Sequence, residues 1–187
     1  SEKDGWRHIF LISRDGKDQT PLTNGNYDII TLKGYDDKSG YVYFMASPDN
    51  ATQSYLYRVK MDGKSKAERL SPADENGTHV YDLSTNGLYA SYEFSNINTA
   101  PVEDWVSLPK HTVIKKEDQE NSRFQMPHVD MFKITTDDSI TMDGWMVKPT
   151  NFDSTKKYPV LFYVYTEDGA QTVTDEHVNV YNFLYNG

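Results

Sequence analysis

The sequence predicts a mainly β protein in which blades of a β-propeller are followed by the opening strands of a mixed α/β sheet. Three observations predict it. Runs rich in Tyr, Val and Ile are broken by Asp-Gly and Asn-Gly turns, the local signature of hairpins. Several of these runs recur at an offset of about 47 residues, in the range of a four-stranded propeller blade. Finally, the apolar stretch Val160-Leu161-Phe162-Tyr163-Val164-Tyr165 reads as a strand buried on both faces.

The elements follow in order. Trp6 to Ile12 is expected as a strand, closed by the turn at Asp15-Gly16. A short run reaches Leu22-Thr23, then Asn24-Gly25 turns the chain into Tyr27–Leu32. Asp36 to Gly40 is a turn before the strand Tyr41–Ala46. The pattern then repeats: Ser54–Val59 resembles the run from Arg7, Asp62-Gly63 matches Asp15-Gly16, Leu70-Ser71 matches Leu22-Thr23, and Gly87–Ser91 matches Gly40–Phe44. Two blades cannot close a propeller, so further blades are expected on the N-terminal side. Pro101 to Lys116 supplies one more pair of strands, and Glu117 to Gln125 is a polar linker. Beyond it, Val129–Thr135 and Ile140–Val147 flank a turn at Asp137-Asp138. A Pro/Asn/Asp/Lys loop from Pro149 to Lys157 leads to the apolar stretch. Glu176-His177-Val178 and Tyr181–Leu184 suggest the start of a helix.

Composition narrows the function. The net charge of -9 argues against a nucleic-acid partner, which needs a basic face. The pairs Lys115-Lys116 and Lys156-Lys157 read as solvated turns. With no Cys there are no disulfides, thiol nucleophiles or Cys-ligated zinc. No stretch approaches the 18 or so apolar residues of a membrane-spanning helix. The five His (His8, His79, His111, His128, His177) have no metal-ligand spacing, Asp74-Glu75-Asn76-Gly77 reads as a solvated turn, and no metal or cofactor is expected. The tripeptides Asn50-Ala51-Thr52 and Asn76-Gly77-Thr78 have the glycosylation pattern, which is common by chance.

Two groups of residues carry a resemblance. Ser1-Glu2-x-Asp4-Gly5-Trp6-Arg7-His8 with its Asp15-Gly16 turn, and the run from Leu70-Ser71 to Asn86-Gly87, resemble late propeller blades of the dipeptidyl peptidase IV family of serine peptidases. Asp143-Gly144-Trp145-Met146-Val147-Lys148-Pro149, Asn151-Phe152-Asp153 and Lys157-Tyr158-Pro159-Val160-Leu161 resemble that family's passage into its α/β-hydrolase domain. The resemblance implies that residues 1–125 are the last blades of the propeller and residues 126–187 the first strands of the hydrolase. It implies an enzyme that removes N-terminal dipeptides (Xaa-Pro or Xaa-Ala) by a Ser, Asp, His triad, with a peptide as partner. It further implies a periplasmic or secreted location and, for a full-length parent, a homodimer.

By the same resemblance Tyr165 is the family's tyrosine that donates its hydroxyl to the oxyanion. The chemistry is sound, because a preorganised donor stabilises the charge that develops on a carbonyl oxygen under attack. The following run, Thr166-Glu167-Asp168-Gly169, departs from the small residues usual in the family and brings two acids where negative charge would develop. No Gly-x-Ser-x-Gly elbow occurs in the sequence, and the triad is expected downstream of Gly187. The chain by itself is therefore expected to be inactive. Two kinds of parent fit: an active exopeptidase, or a catalytically dead relative or propeller used as a binding module.

Overall fold

The computed structural model describes residues 1–3, 5–116, 128–164 and 172–177. Among them are strands β1 (Phe10–Ile12), β2 (Gln19–Pro21), β3 (Ile29–Asp36), β4 (Tyr41–Ala46), β5 (Tyr55–Lys60), β6 (Glu68–Arg69), β7 (Thr78–Leu83), β8 (Tyr89–Asn96), β9 (Thr99–Ser107), β10 (Thr112–Lys116), β11 (Val129–Thr135) and β12 (Thr141–Val147). The described residues contain no helix.

Two four-stranded antiparallel meanders, β3-β4-β5-β6 and β7-β8-β9-β10, are the two expected blades. β1 and β2 form a separate hairpin, as do β11 and β12. The 47-residue repeat is now visible as structure. β3 corresponds to β7 and β4 to β8, while β1 and β2 stand where β5 and β6 stand one repeat later.

The blades stack through side chains that alternate along each strand. Val42, Phe44, Ala46, Tyr55, Tyr57 and Val59 leave one face of the first blade and pack with Leu22 and Ile29, with Ile9 and Tyr27 against them. Tyr43, Met45 and Leu56 leave its other face and pack with Tyr81, Ala90, Tyr92, Val106 and Leu108 of the second blade. Phe44, Leu56 and Val106 are fully shielded from solvent. Burial of each contributes about 2 kcal/mol.

The repeated Leu-Thr and Leu-Ser pairs have a specific task. The Thr23 hydroxyl accepts the Ile9 N–H at 3.0 Å, and the Ser71 hydroxyl accepts the Leu56 N–H at 2.8 Å. The neighbouring Leu N–H returns the bond in each copy, Leu22 to the Ile9 carbonyl at 2.8 Å and Leu70 to the Leu56 carbonyl at 2.7 Å. A short outer strand is thus tied down by one hydroxyl where a longer strand would use its own backbone. Ser71 also accepts the Tyr81 hydroxyl of the next blade at 3.1 Å.

Aspartates shape the hairpins. Asp62 accepts the N–H groups of Lys64 and Ser65, both at 2.9 Å, and the Ser65 hydroxyl at 2.7 Å. Those bonds to the ionised carboxylate, the Lys64 N–H foremost, hold its pKa down at about 2. Gly87 closes the turn before β8 at φ 63°, and a Cβ there would meet the Tyr43 hydroxyl at 2.4 Å. Only glycine satisfies both constraints.

Several expectations are corrected. The strand from Trp6 is confined to Phe10–Ile12, because the Arg7 N–H is taken by the Asp28 carboxylate and His8 turns inward to Thr23 and the Gly25 carbonyl. β7 lies in a stretch where no strand was expected, since its Thr-His-Val-Tyr-Asp-Leu sequence lacks a regular apolar alternation. Lys115-Lys116 belong to β10 and not to a turn. Residues 160–164 carry no secondary structure, and Val160, Leu161, Phe162, Tyr163 and Val164 are 65–83% exposed. A strand of this kind needs neighbours on both edges and cover on both faces, and none of the described residues supplies them. Glu176 and His177 are not helical, and Tyr181–Leu184 lies outside the described residues.

Two measurements check this fold. Ser71→Ala leaves the buried Leu56 N–H without its acceptor and lowers unfolding stability by about 1–3 kcal/mol, whereas Ser71→Thr costs far less because threonine already fills this role at position 23. Asp62 is expected to titrate by carboxyl NMR with a midpoint of about 2 against an ordinary 3.8. Because its folded pKa is depressed, its stabilising contribution is complete above 3.8 and is lost as pH falls through about 2. A midpoint at 3.8 would show that the turn is not held as described.

Candidate functional site

Tyr165, the one sequence-predicted site residue, lies outside the described residues, as do Glu167 and Asp168. What the structure shows is how the chain is held on either side of it.

On the approach, β11 and β12 pair along their whole length, from Val129 opposite Val147 to Thr135 opposite Thr141. Gly144 lies opposite Phe132, whose ring occupies the space a Cβ would need at 2.6 Å. Just past β12, the Lys148 ammonium pairs with Asp130 at 2.7 Å and lies 5.4 Å from the centre of the Phe152 ring. Lys148 holds the Asp130 carboxyl below the usual range. The Phe152 ring stacks on Tyr158 with centroids 5.2 Å apart. The Tyr158 hydroxyl accepts the Asp153 N–H at 3.0 Å, while the Asp153 carboxylate accepts the Thr155 N–H and hydroxyl at 3.0 and 2.7 Å. The Lys148, Phe152-Asp153 and Tyr158 positions singled out in the sequence therefore form one local knot, from which Pro159 leads out to residues 160–164.

On the far side, residues 172–177 lie across the seam where the two blades meet. The seam is defined by a parallel bridge between Ser54 and Thr78. The Ser54 N–H donates to the Gly77 carbonyl at 3.2 Å and the His79 N–H to the Ser54 carbonyl at 3.0 Å. Asp175 uses every polar group it has there. Its carboxylate accepts the Gln53 side-chain amide at 2.9 Å and the Ile97 N–H at 3.1 Å. Its own N–H donates to the Thr52 carbonyl at 2.6 Å, and its carbonyl accepts the Thr78 hydroxyl at 3.0 Å. The His177 N–H adds a bond to the Ser95 hydroxyl at 3.3 Å.

The seam is built from residues that the sequence presented as turns. Asn76-Gly77 is inserted between the blades, and a Cβ on Gly77 would come within 2.4 Å of the Ser95 carbonyl. The expected solvated turn at Asp74–Gly77 is corrected on this point: the Glu75 carboxylate accepts the Tyr92 hydroxyl at 2.6 Å, and the Glu75 carbonyl faces His79 Nε2 at 3.0 Å. Thr52 and Thr78, the third residues of the two glycosylation-type tripeptides, both bond to Asp175.

His79 is a buried packing residue, as expected of the scattered histidines. It is 1% exposed and sits among Tyr55, Tyr81, Tyr92 and Phe94. Burial pushes its pKa down to about 4, so the ring is neutral near pH 7 and donates from Nε2 to the Glu75 carbonyl. Burial likewise lowers the pKa of His111 and raises that of the Tyr92 hydroxyl. Among the described residues no three His, Asp or Glu side chains are grouped as metal ligands. Asp175 and Gln53 were not singled out in the sequence, and Gly77 stood out there only as part of a turn and of a glycosylation-type tripeptide. An acid in a polar loop carries no signal that separates a clasp from a solvated charge.

Comparison with known proteins agrees with this geometry. Residues 1–101 match the family model described as the dipeptidyl peptidase IV (DPP IV) N-terminal region. A probable dipeptidyl-aminopeptidase B of Coccidioides posadasii is 28% identical over 186 residues, taking in 91% of this chain and 19% of its own length. Dipeptidyl peptidase 4 of Trichophyton rubrum is 28% identical over 183 residues, 93% of this chain and 23% of its own length. The crystal structure of Porphyromonas gingivalis dipeptidyl peptidase 4 superposes with a TM-score of 0.84 at 25% identity, covering all of this chain and 27% of that one. The chain thus spans about a fifth to a quarter of the length of these relatives. Two stacked blades on a 47-residue repeat, matched by a family model over more than half of the sequence, establish that the chain belongs to the dipeptidyl peptidase IV N-terminal region family.

Proposed function

We propose that the chain is part of a serine exopeptidase that removes N-terminal dipeptides, with Pro or Ala as the second residue, and that it contributes the last propeller blades (1–125) and the opening of the α/β-hydrolase domain (126–187). One observation carries the reading. The family model ends at residue 101, yet the similarity to proteins named dipeptidyl peptidases takes in 91–93% of the chain, well past the blades.

In this reading Tyr165 donates its phenol to the oxyanion as the scissile carbonyl is attacked. The bond strengthens as charge moves onto oxygen, so it acts mainly on turnover and little on ground-state binding. The nucleophile, acid and base come from other parts of the enzyme. The substrate is a peptide, and the compartment that suits this activity is periplasmic or secreted. Glu167 and Asp168 favour a second reading, a parent that has lost peptidase activity and retains the propeller for binding, because two acids next to an oxyanion site oppose its charge.

The experiment is hydrolysis of Xaa-Pro and Xaa-Ala chromogenic substrates by the full-length protein. Activity is expected, and Tyr165→Phe is expected to lower kcat on the order of 10²- to 10³-fold with KM little changed. A full-length protein that folds but cleaves neither substrate supports the binding module. An active protein unaffected by Tyr165→Phe removes that residue from the site.

A further inference from the structure

We propose that Asn24-Gly25 is a site of spontaneous covalent modification, where the Asn24 side chain cyclises onto the Gly25 backbone nitrogen and reopens as aspartate or isoaspartate. The fold withholds the same reaction from Asn76-Gly77 and Asn86-Gly87.

The reaction is intramolecular and consumes only water. The Gly25 nitrogen, once it has lost its proton to solvent, attacks Asn24 Cγ. A C–N bond forms, the Cγ–Nδ2 bond breaks, and ammonia leaves, the departing NH2 taking a proton from water. Water then opens the five-membered imide. Attack at Cγ restores the normal chain with an aspartate, and attack at the Asn24 backbone carbonyl leaves the chain running through the side chain. Glycine in second place keeps the approach sterically open.

The dipeptides differ in what holds them. Asn24 and Gly25 are both exposed, and among the described residues neither the Asn24 side chain nor the Gly25 N–H has a hydrogen-bond partner. At Asn86-Gly87 the nitrogen that would attack is engaged, since the Gly87 N–H donates to the Ser84 carbonyl at 2.9 Å. Asn86 Oδ1 also accepts the Ser84 hydroxyl at 2.8 Å and the Leu88 N–H at 3.1 Å. At Asn76-Gly77 the glycine is buried in the seam. The Ser54 N–H holds its carbonyl at 3.2 Å, and the Asn96 side-chain amide holds the Asn76 carbonyl at 3.3 Å. Ring closure there requires the seam to open, and at Asn86 it requires a turn bond to break. At Asn24 it requires neither. Asn186-Gly187 lies outside the described residues.

The position gives the modification its consequence. Thr23 and Gly25, on either side of Asn24, together hold the buried His8 ring, the Thr23 hydroxyl at Nδ1 (3.2 Å) and the Gly25 carbonyl at Nε2 (3.0 Å). The same Thr23 hydroxyl accepts the Ile9 N–H. Isoaspartate inserts one more carbon into the chain between these two contacts, roughly 1.5 Å of extra backbone. The contacts to His8 then fall out of step, and the tie at Ile9 loosens.

The test incubates the full-length protein, folded, at mildly alkaline pH and body temperature. Peptide mapping by mass spectrometry reads the replacement of NH2 by OH at each asparagine. Asn24 is expected to react faster than Asn76 and Asn86 on the order of tenfold or more, the factor that one retained hydrogen bond withholds. In denaturant the difference is expected to vanish. Equal rates in the folded protein, or a faster reaction at Asn76 or Asn86, overturn the proposal. A difference that persists in denaturant overturns the part played by the fold. In the modified protein, hydrogen exchange at the Ile9 amide is expected to accelerate while the Leu56 amide keeps its protection. Unchanged exchange at Ile9 overturns the link to the tie. Asn24→Ala removes the reacting group without removing a hydrogen bond and is expected to keep Ile9 protected through the same incubation. Loss of protection in that variant overturns the modification as its cause.

Discussion

A single sheet with two apolar faces governs this structure. Strands β4 and β5 are covered on both sides, by the β1–β2 hairpin region through Phe44 and Tyr57 and by the second blade through Tyr43, Met45 and Leu56. Neither face can be exposed without losing the burial that holds the first blade. The second blade therefore has to stack, and the side chains that meet it set its distance and register. Gly87 shows how closely this is specified, since the turn before β8 has to pass the Tyr43 hydroxyl with no Cβ between them.

Stacking leaves polar backbone at the line where the sheets meet, and the seam is the answer to that. Ser54, Gly77 and His79 bond across it as a one-rung ladder. The remaining groups on the Thr52–Gln53 and Ile97 turns find their partners in Asp175. A buried polar group without a partner is costly. A chain segment carrying one well-placed carboxylate satisfies several such groups together. The blades and residues 172–177 are coupled at this point through hydrogen bonds.

Much of the blade architecture was legible beforehand. β4 matched its predicted bounds because a glycine turn and an unbroken apolar run mark both ends. The Leu22-Thr23 and Leu70-Ser71 correspondence pointed to a shared feature, which proved to be the same hydroxyl tie. The hairpin at residues 129–147 was visible from its alternation and its Asp137-Asp138 turn. β7 was missed because its inward residues include His79, a polar side chain that burial and a carbonyl partner make acceptable in a core. The seam was missed for a related reason: Thr52, Gly77 and Asp175 look like turn and loop residues, and only their meeting in space gives them a role. The stretch after Pro159 erred in the opposite direction. Apolar sequence states a demand for cover, and cover comes from neighbours that the stretch itself does not contain.

The clasp also bears on the order in which the molecule assembles. Each blade is a meander of neighbouring strands, so its contacts close short loops that form early and fast. Asp175 joins residues 78 to 123 positions away in the chain. Its receptor does not exist until both blades have stacked. Docking of residues 172–177 is then a final step, taken on a finished surface and reversible without unfolding either sheet. The propeller seam becomes a checkpoint in folding: the polypeptide downstream is secured only once the two blades upstream are correctly joined.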